Sequence, residues 1–242
     1  SGRAMLSALV EGSSDPEALA ELAKGALRRK IPALREALEG RFRRHHALIV
    51  GAVLSHLDFL EEIIEHLSAE IEEVIAPFGL AVQMLRTIPG VDKRTAEMLI
   101  AEIGVDMDRF GSAERLSSWA GLCPGNNESA GKHFSGRTRK GSKWLRSGLT
   151  QSAKAASRSK GTYFSAQYGR LKGRRGHGRA TVAVAHSILV VAFHILDRGT
   201  PYADLGADYF LRRHDPARHA IKLKRQIEAL GFDVTLTPVE AA

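Results

Sequence analysis

Ser129 stands in the Gly/Asn-rich stretch GLCPGNNESAGKHFSGRTRKGSKWLR, Gly121 to Arg146, with Lys132, Arg137, Arg139, Lys140, Lys143 and Arg146 around it. A hydroxyl nucleophile among fixed cations is what phosphoryl transfer on a polyanion requires. The oxygen attacks phosphorus while guanidinium and ammonium groups stabilise the charge that develops. Ser135 carries the same hydroxyl six residues on and competes for the role. Neither serine has His and Asp nearby in a triad order, so activation through an imidazole has no support. Phosphoryl transfer does not demand that arrangement, because arginines and lysines can stabilise both alkoxide and phosphorane. The plainer reading of Ser129 is a turn former, a common use of serine in such loops.

The cations extend beyond this loop. Between Gly125 and Ala180 there are fourteen: Lys132, Arg137, Arg139, Lys140, Lys143, Arg146, Lys154, Arg158, Lys160, Arg170, Lys172, Arg174, Arg175 and Arg179. Glu128 is the one acid in that span. Such a segment on a mixed background reads as a phosphate-binding surface, with steep salt dependence expected of its binding. A solvated charged face is the alternative, but the shortage of acids argues against simple salt-bridge balance. Trp144 could stack on a base, though core packing is the expectation for it. His45, His46, His56 and His66 lack Cys partners and metal-ligand spacing and are read as structural or exposed, and Cys123 as a small buried residue. No acidic cluster suited to two metal ions is evident, so no metal site is expected in this chain.

Whole-chain properties agree. The 242 residues carry a formal net charge of +8, which favours nucleic acid or another anionic partner. A single cysteine excludes a disulfide framework and fits a reducing compartment. No signal peptide is visible. The longest apolar stretch, Ala180 to Leu196, contains His186, Ser187 and His194 and is read as a buried helix too short and polar to span a bilayer. The chain begins SGRAM, which is expected of an expressed fragment or tag-cleaved product with residues missing upstream.

The elements that must position these groups are helical. Residues 1–41 read as an N-terminal helical segment, with Asp15-Pro16 as N-cap and first turn and an interruption at Pro32. Over residues 42–79, Val50, Val53, Leu57, Leu60, Ile64, Leu67, Ile71 and Val74 step by threes and fours with Glu residues off the seam. This predicts a long helix forming a coiled coil, or one packed on its own domain, ended by Pro77. Residues 80–212 read as a compact helical domain. It opens with a helix-hairpin-helix over 84–104, whose Gly90 hairpin could hold a DNA phosphate on backbone N–H groups with Lys93 and Arg94 adding charge. An ordinary helical hairpin is the alternative. Helices are predicted over 113–119, 144–159, 162–171 and 180–197, with the serine loop at 121–146 and a Gly-rich basic linker at 172–179. The one possible short strand covers 132–138, and residues 213–242 form a basic helix and tail. The fold class is mainly α.

The blocks IPGVDKRTAEMLIAEIG, FGSAERLSSWAGLCPGNNESAGK, GRTRKGSKWLR, VAVAHSILVVAFHIL and PYADLGADYF follow in this order. Together they resemble the C-terminal half of the insertion-sequence-one-ten family of bacterial transposases. The resemblance implies a DNA recombinase with two catalytic parts. One is a RuvC-like domain whose DEDD acids hold divalent metal, Mg²⁺ by expectation. The other is a transposase domain bearing a serine, with an oligomerising coiled coil between them. It implies that the serine attacks the DNA backbone and forms a phosphoserine, and that a structured guide RNA pairs with target and donor DNA. A bacterial cytoplasmic, nucleoid-associated setting follows, with DNA, guide RNA and further copies of the chain as dimer or tetramer partners, and no membrane.

By position the family serine falls on Ser129, in Ser129-Ala130-Gly131-Lys132. The family pattern often has two glycines after the serine, so Ala130 is expected to stiffen the loop. The acidic domain would lie before Ser1, and Asp106 and Asp108 are not convincing replacements. The chain alone is therefore expected to bind DNA and self-associate without cutting efficiently. The alternative is a non-catalytic DNA-binding and assembly module of helix-hairpin-helix type.

Overall fold

The computed structural model describes the backbone of residues 1–123, 127–130, 132–135, 138–212 and 216–237, and their side chains except at 127–129, 132–135, 211, 216–219 and 222. The fold is mainly helical, as expected, and divides into two compact units, Ser1–Ala76 and Pro77–Ala242.

In the first unit, α1 (Gly2–Val10), α2 (Pro16–Glu21), a 3₁₀ turn (Gly25–Lys30) and α3 (Ile31–Leu38) precede the 32-residue α4 (Arg44–Ile75). Asp15 caps α2 by accepting the Glu17 amide at 3.0 Å, with Pro16 in the first turn. Pro32 does not interrupt a helix. It sits in the first turn of α3, where its missing N–H is no loss. Met5, Leu19, Ala20 and Ala23 form a small core. α1 lies along α4, with Arg3 paired to Asp58 and Glu61. No residue of α4 is buried, and most of its seam stays open to solvent, with Val53, Ile64, Leu67 and Val74 all more than half exposed.

The second unit contains α5 (Gly79–Leu85), α6 (Lys93–Ile103), α7 (Ala113–Trp119), a short hairpin of β1 (Asn127–Ser129) and β2 (Lys132–Ser135), then α8 (Lys143–Ala156), α9 (Tyr163–Arg175), α10 (His177–Arg198), α11 (Tyr209–Arg212) and α12 (Pro216–Glu228). α10 is the central element, packing on α5, α7, α8 and α9. Its buried face (Ala180, Val184, Ile188, Leu189, Ala192) meets Leu85, Leu116, Leu145, Leu149 and Phe164 in the core. At 22 residues α10 is longer than the apolar run suggested, and by length and composition it could cross a membrane. Half of that window is buried inside this unit, which is the behaviour of a core helix.

Helix starts follow local chemistry. Asp92, Ser112, Ser142 and Thr162 each accept the amide three residues on, at 2.8, 3.3, 3.2 and 3.3 Å. The supposed basic linker at 172–179 is instead helical almost throughout. Lys172 to Arg175 finish α9 and His177 to Arg179 begin α10, with Gly176 at φ +79° making the whole break. A glycine is needed there because an L side chain is strained at that angle.

Candidate nucleic-acid interface

Two close backbone crossings place the serine loop. Gly121, at φ +68°, lies so near the 139–141 stretch that a Cβ would stand 2.8 Å from Arg139 O and from Gly141 N. A Cβ on Gly141 would stand 2.3 Å from the carbonyl carbon and oxygen of Ala120. The pair of glycines lets two strands of chain touch, and the contact closes the segment between them at its base. Within that segment β1 and β2 run antiparallel, Ser129 opposite Lys132 and Glu128 opposite His133, with a register irregularity between Asn127 and Glu128. Ser129 is therefore the last residue of β1, and Ala130 beyond it adopts φ +50°, the one positive-φ residue other than glycine among the described residues. β2 covers the first four residues of the expected 132–138 strand and has a partner the sequence did not suggest, and residues 136–137 of that expectation lie outside the described residues. The side chains of Ser129, Lys132 and Ser135, and all of Arg137, lie outside the described residues.

The cations that follow are outward-facing. Arg139 and Lys140 are exposed on the stretch that crosses Ala120-Gly121. Lys143 and Arg146 occupy the first turn of α8, which Ser142 caps while also donating to Glu102 at 2.7 Å. A cation in a first turn works against the helix dipole, so this placement is not made for helix stability. Trp144 is 64% exposed rather than core, and the Lys143 ammonium lies 4.9 Å from its ring centre. The buried face of α8 is Leu145, Leu149, Ser152, Ala153 and Ala156, and position 144 falls off it. Among these residues an exposed indole and three exposed cations face solvent beside the loop, with Arg146 half-buried next to them, an arrangement suited to phosphates and a stacked base.

The residues of the expected helix-hairpin-helix behave differently. Gly90 (φ +83°) turns toward α8, where a Cβ would stand 2.4 Å from Ser152 O and 2.7 Å from Ala156 N. The glycine is there so that two backbones can approach. Arg94 bonds the carboxylate of Glu97 at 2.8 Å and Lys93 stands 4.0 Å from its other oxygen, and Glu97 is 4% exposed. These two cations thus balance a buried acid. Asp92 is held below the usual carboxylate range by its bonds to Thr95.

Sequence reasoning missed the group that supports the loop from below. Cys123 Sγ lies 4.0 Å from His186 Nδ1 of α10. Burial pushes the thiol up and the imidazole down, with the Glu114 carboxylate adding to the first shift and partly opposing the second. Both groups are therefore neutral near pH 7, and the contact is a thiol against an imidazole. Beside it is a cleft of about 410 Å³ lined by His186, His194, Arg198, Thr200, Tyr163 and Tyr202. The Tyr202 hydroxyl is pushed up by burial and by its bond to Asp204. No local sequence pattern links residues 63 positions apart, so only the fold reveals this pairing. Among the described residues, no group of three or more His, Cys, Asp or Glu side chains could hold a metal ion.

Residues 82–169, from α5 into α9, match the model of the Transposase IS116/IS110/IS902 family. The match spans the hairpin turn at Gly90, the serine strands and α8. The chain is also similar to a Streptomyces coelicolor protein, the mini-circle transposase assigned to IS117, at 29% identity over 125 residues. That alignment takes in 52% of this chain and 28% of the relative's length.

Proposed function

We propose that the chain is the serine-bearing part of a DNA transposase, with Ser129 as nucleophile. The observation that carries this is the transposase-family match over residues 82–169, centred on a loop that carries a serine at a strand end and a run of exposed, acid-free cations. Ser129 Oγ attacks a backbone phosphorus. The Oγ–P bond forms, one P–O ester bond breaks, and the departing sugar oxygen takes the proton, leaving a phosphoserine and a free hydroxyl end. Transfer to another strand reverses these steps with the incoming hydroxyl. Lys132, Arg137, Arg139, Lys140, Lys143 and Arg146 neutralise the phosphate and its transition state. Gly90, Lys93 and Arg94 contribute at most through the α5–α6 turn, since the latter two are engaged by Glu97.

The resemblance assigns a divalent metal such as Mg²⁺ to an acidic RuvC-like domain. The described residues do not fit such an ion, and no step here runs through one. A structured guide RNA enters on the same resemblance. Self-association is supported by the unburied apolar seam of α4.

The test is mobility of a marked element in cells supplying the complete gene, wild type against Ser129→Ala and Ser135→Ala. Loss with the first alone, while DNA binding persists, is the expected result. Loss with the second alone moves the nucleophile to Ser135. Full activity of both leaves the alternative, a DNA-binding and assembly module, which the exposed cations support by themselves.

A further inference from the structure

We propose that the joint between α9 and α10 is a further contact for the backbone of duplex DNA, a reading that rests on the DNA transposase function above. All residues from Lys172 to Arg179 are exposed, and four of the eight are Lys or Arg: Lys172, Arg174, Arg175 and Arg179. From Ser129 to Leu196 the sequence contains no Asp or Glu, so α8, α9 and nearly all of α10 offer these cations no carboxylate. Those with intramolecular contacts meet rings. The Arg170 guanidinium lies 4.5 Å from the Phe210 ring and the Lys172 ammonium 5.9 Å from Tyr168, whose hydroxyl is 2.5 Å from His177 Nδ1. Arg174, Arg175 and Arg179 pair with no carboxylate of the described residues.

The helix dipole favours Lys172, Arg174 and Arg175 in the last turn of α9, but no described carboxylate balances this charge. Like charges crowd one short joint, and Arg179 sits in the first turn of α10, where the helix dipole disfavours a cation. Its use lies outside the molecule, with an anion. The chemistry of the patch selects which one. No exposed large apolar side chain lies between Gly169 and Arg179, so a bilayer finds nothing to insert. The two rings at hand, Tyr168 and His177, engage each other through the Tyr168 hydroxyl and an edge-to-face contact, and Lys172 lies over the Tyr168 ring, a poor platform for stacking the bases of a single strand. Three guanidinium forks that no described carboxylate holds fit phosphodiester oxygens and read no sequence. The occupant is the sugar–phosphate rail of the duplex that the serine hairpin acts on.

The experiment measures binding of the 242-residue chain to a duplex DNA of arbitrary sequence across a salt series. Wild type is compared with R174Q/R175Q/R179Q and with a loop variant, R139Q/K140Q/K143Q. Each lost phosphate contact lowers the slope of log K against log salt by about 0.9, so the joint variant should lose about 2.7. Its thermal melt should be unchanged, because all three side chains are exposed. An unchanged slope for the joint variant overturns the proposal. If the loop variant still loses slope in that case, the DNA transposase reading survives without it. If the joint variant alone loses slope, the joint is the DNA surface and the loop assignment fails. Two further arms use duplex RNA and phosphatidylserine vesicles. A loss confined to either of them, with DNA unaffected, also overturns the proposal.

Discussion

Gly141→Ala tests whether the closed base of the serine loop is what holds Ser129, the proposed nucleophile, in place. The added Cβ would stand 2.3 Å from the carbonyl carbon and oxygen of Ala120 and 2.6 Å from Gly121 N. All three are backbone atoms, so no side-chain rotation can make room. Gly141 is not at positive φ, which leaves steric overlap as the whole effect. Overpacking of this kind costs about 1–3 kcal/mol, and overlap with rigid backbone belongs at the upper end. A unit of this size loses about 2–4 °C of Tm per kcal/mol, so a fall of roughly 6–12 °C is expected. Because the crossing must open to admit the methyl, the segment bearing Ser129 shifts. A displacement near 1 Å can cost about 10²-fold in rate. DNA affinity should change little, since Arg139, Lys140, Lys143 and Arg146 all remain. Gly173→Ala is the matched control. It is exposed inside α9 with nothing within 4 Å of its Cβ, and should stabilise by about 0.5–1 kcal/mol. Calorimetry and an element-mobility assay read both variants. A Gly141→Ala protein that melts with wild type and remains fully active would refute the closure argument.

Ala130→Gly should relieve the left-handed strain at φ +50° and slow hydrogen exchange across β1 and β2, by up to about 1 kcal/mol of local stability. Faster exchange would show that glycine's added freedom outweighs the strain. Arg94→Ala leaves the buried Glu97 with only the more distant Lys93, and should lower stability by about 1–2 kcal/mol, discounted from a fully buried pair because Arg94 is half exposed. Its salt slope for DNA should stay at the wild-type value, and a drop near one unit would return Arg94 to the phosphate contacts. His186 has a folded pKa below its usual 6.5 because of burial, so the unfolded chain binds its proton first. Stability tied to neutral His186 is present above pH 6.5 and drains away as pH falls through that value toward the lower folded pKa. Melts from pH 7.5 to 5 should show a steeper decline for wild type than for His186→Asn, and parallel curves would remove His186 from the acid response.

Much of the fold was legible because periodicity is written locally. The seam of α4, the buried face of α6 at Ala96, Leu99, Ile100 and Ile103, and the Asp15 cap all appear where the sequence puts them. The errors came from reading residue types without phase or partner. Trp144 was expected in the core by type, yet Leu145, Leu149, Ala153 and Ala156 already define the buried side of α8. The 172–179 stretch looked like a linker for its glycines, although Lys and Arg favour helix and just one glycine there needs positive φ. Lys93 and Arg94 had Glu97 at helical spacing in plain view, but not that Glu97 would be buried. The Cys123–His186 contact and the Gly90 approach to α8 are tertiary events with no local signature.

The unburied seam of α4 also has a consequence for how the molecule behaves in solution. A 32-residue helix is about 48 Å long, and within the first unit this one has α1 along part of it and no fully buried residue. If a further copy of the chain covers its apolar side, as proposed above, the order of this rod follows mass action. Diluting the protein should lower the melting point of the first unit while that of the second, with its own core, stays fixed. A single chain would then respond to its own abundance in one half and remain indifferent to it in the other.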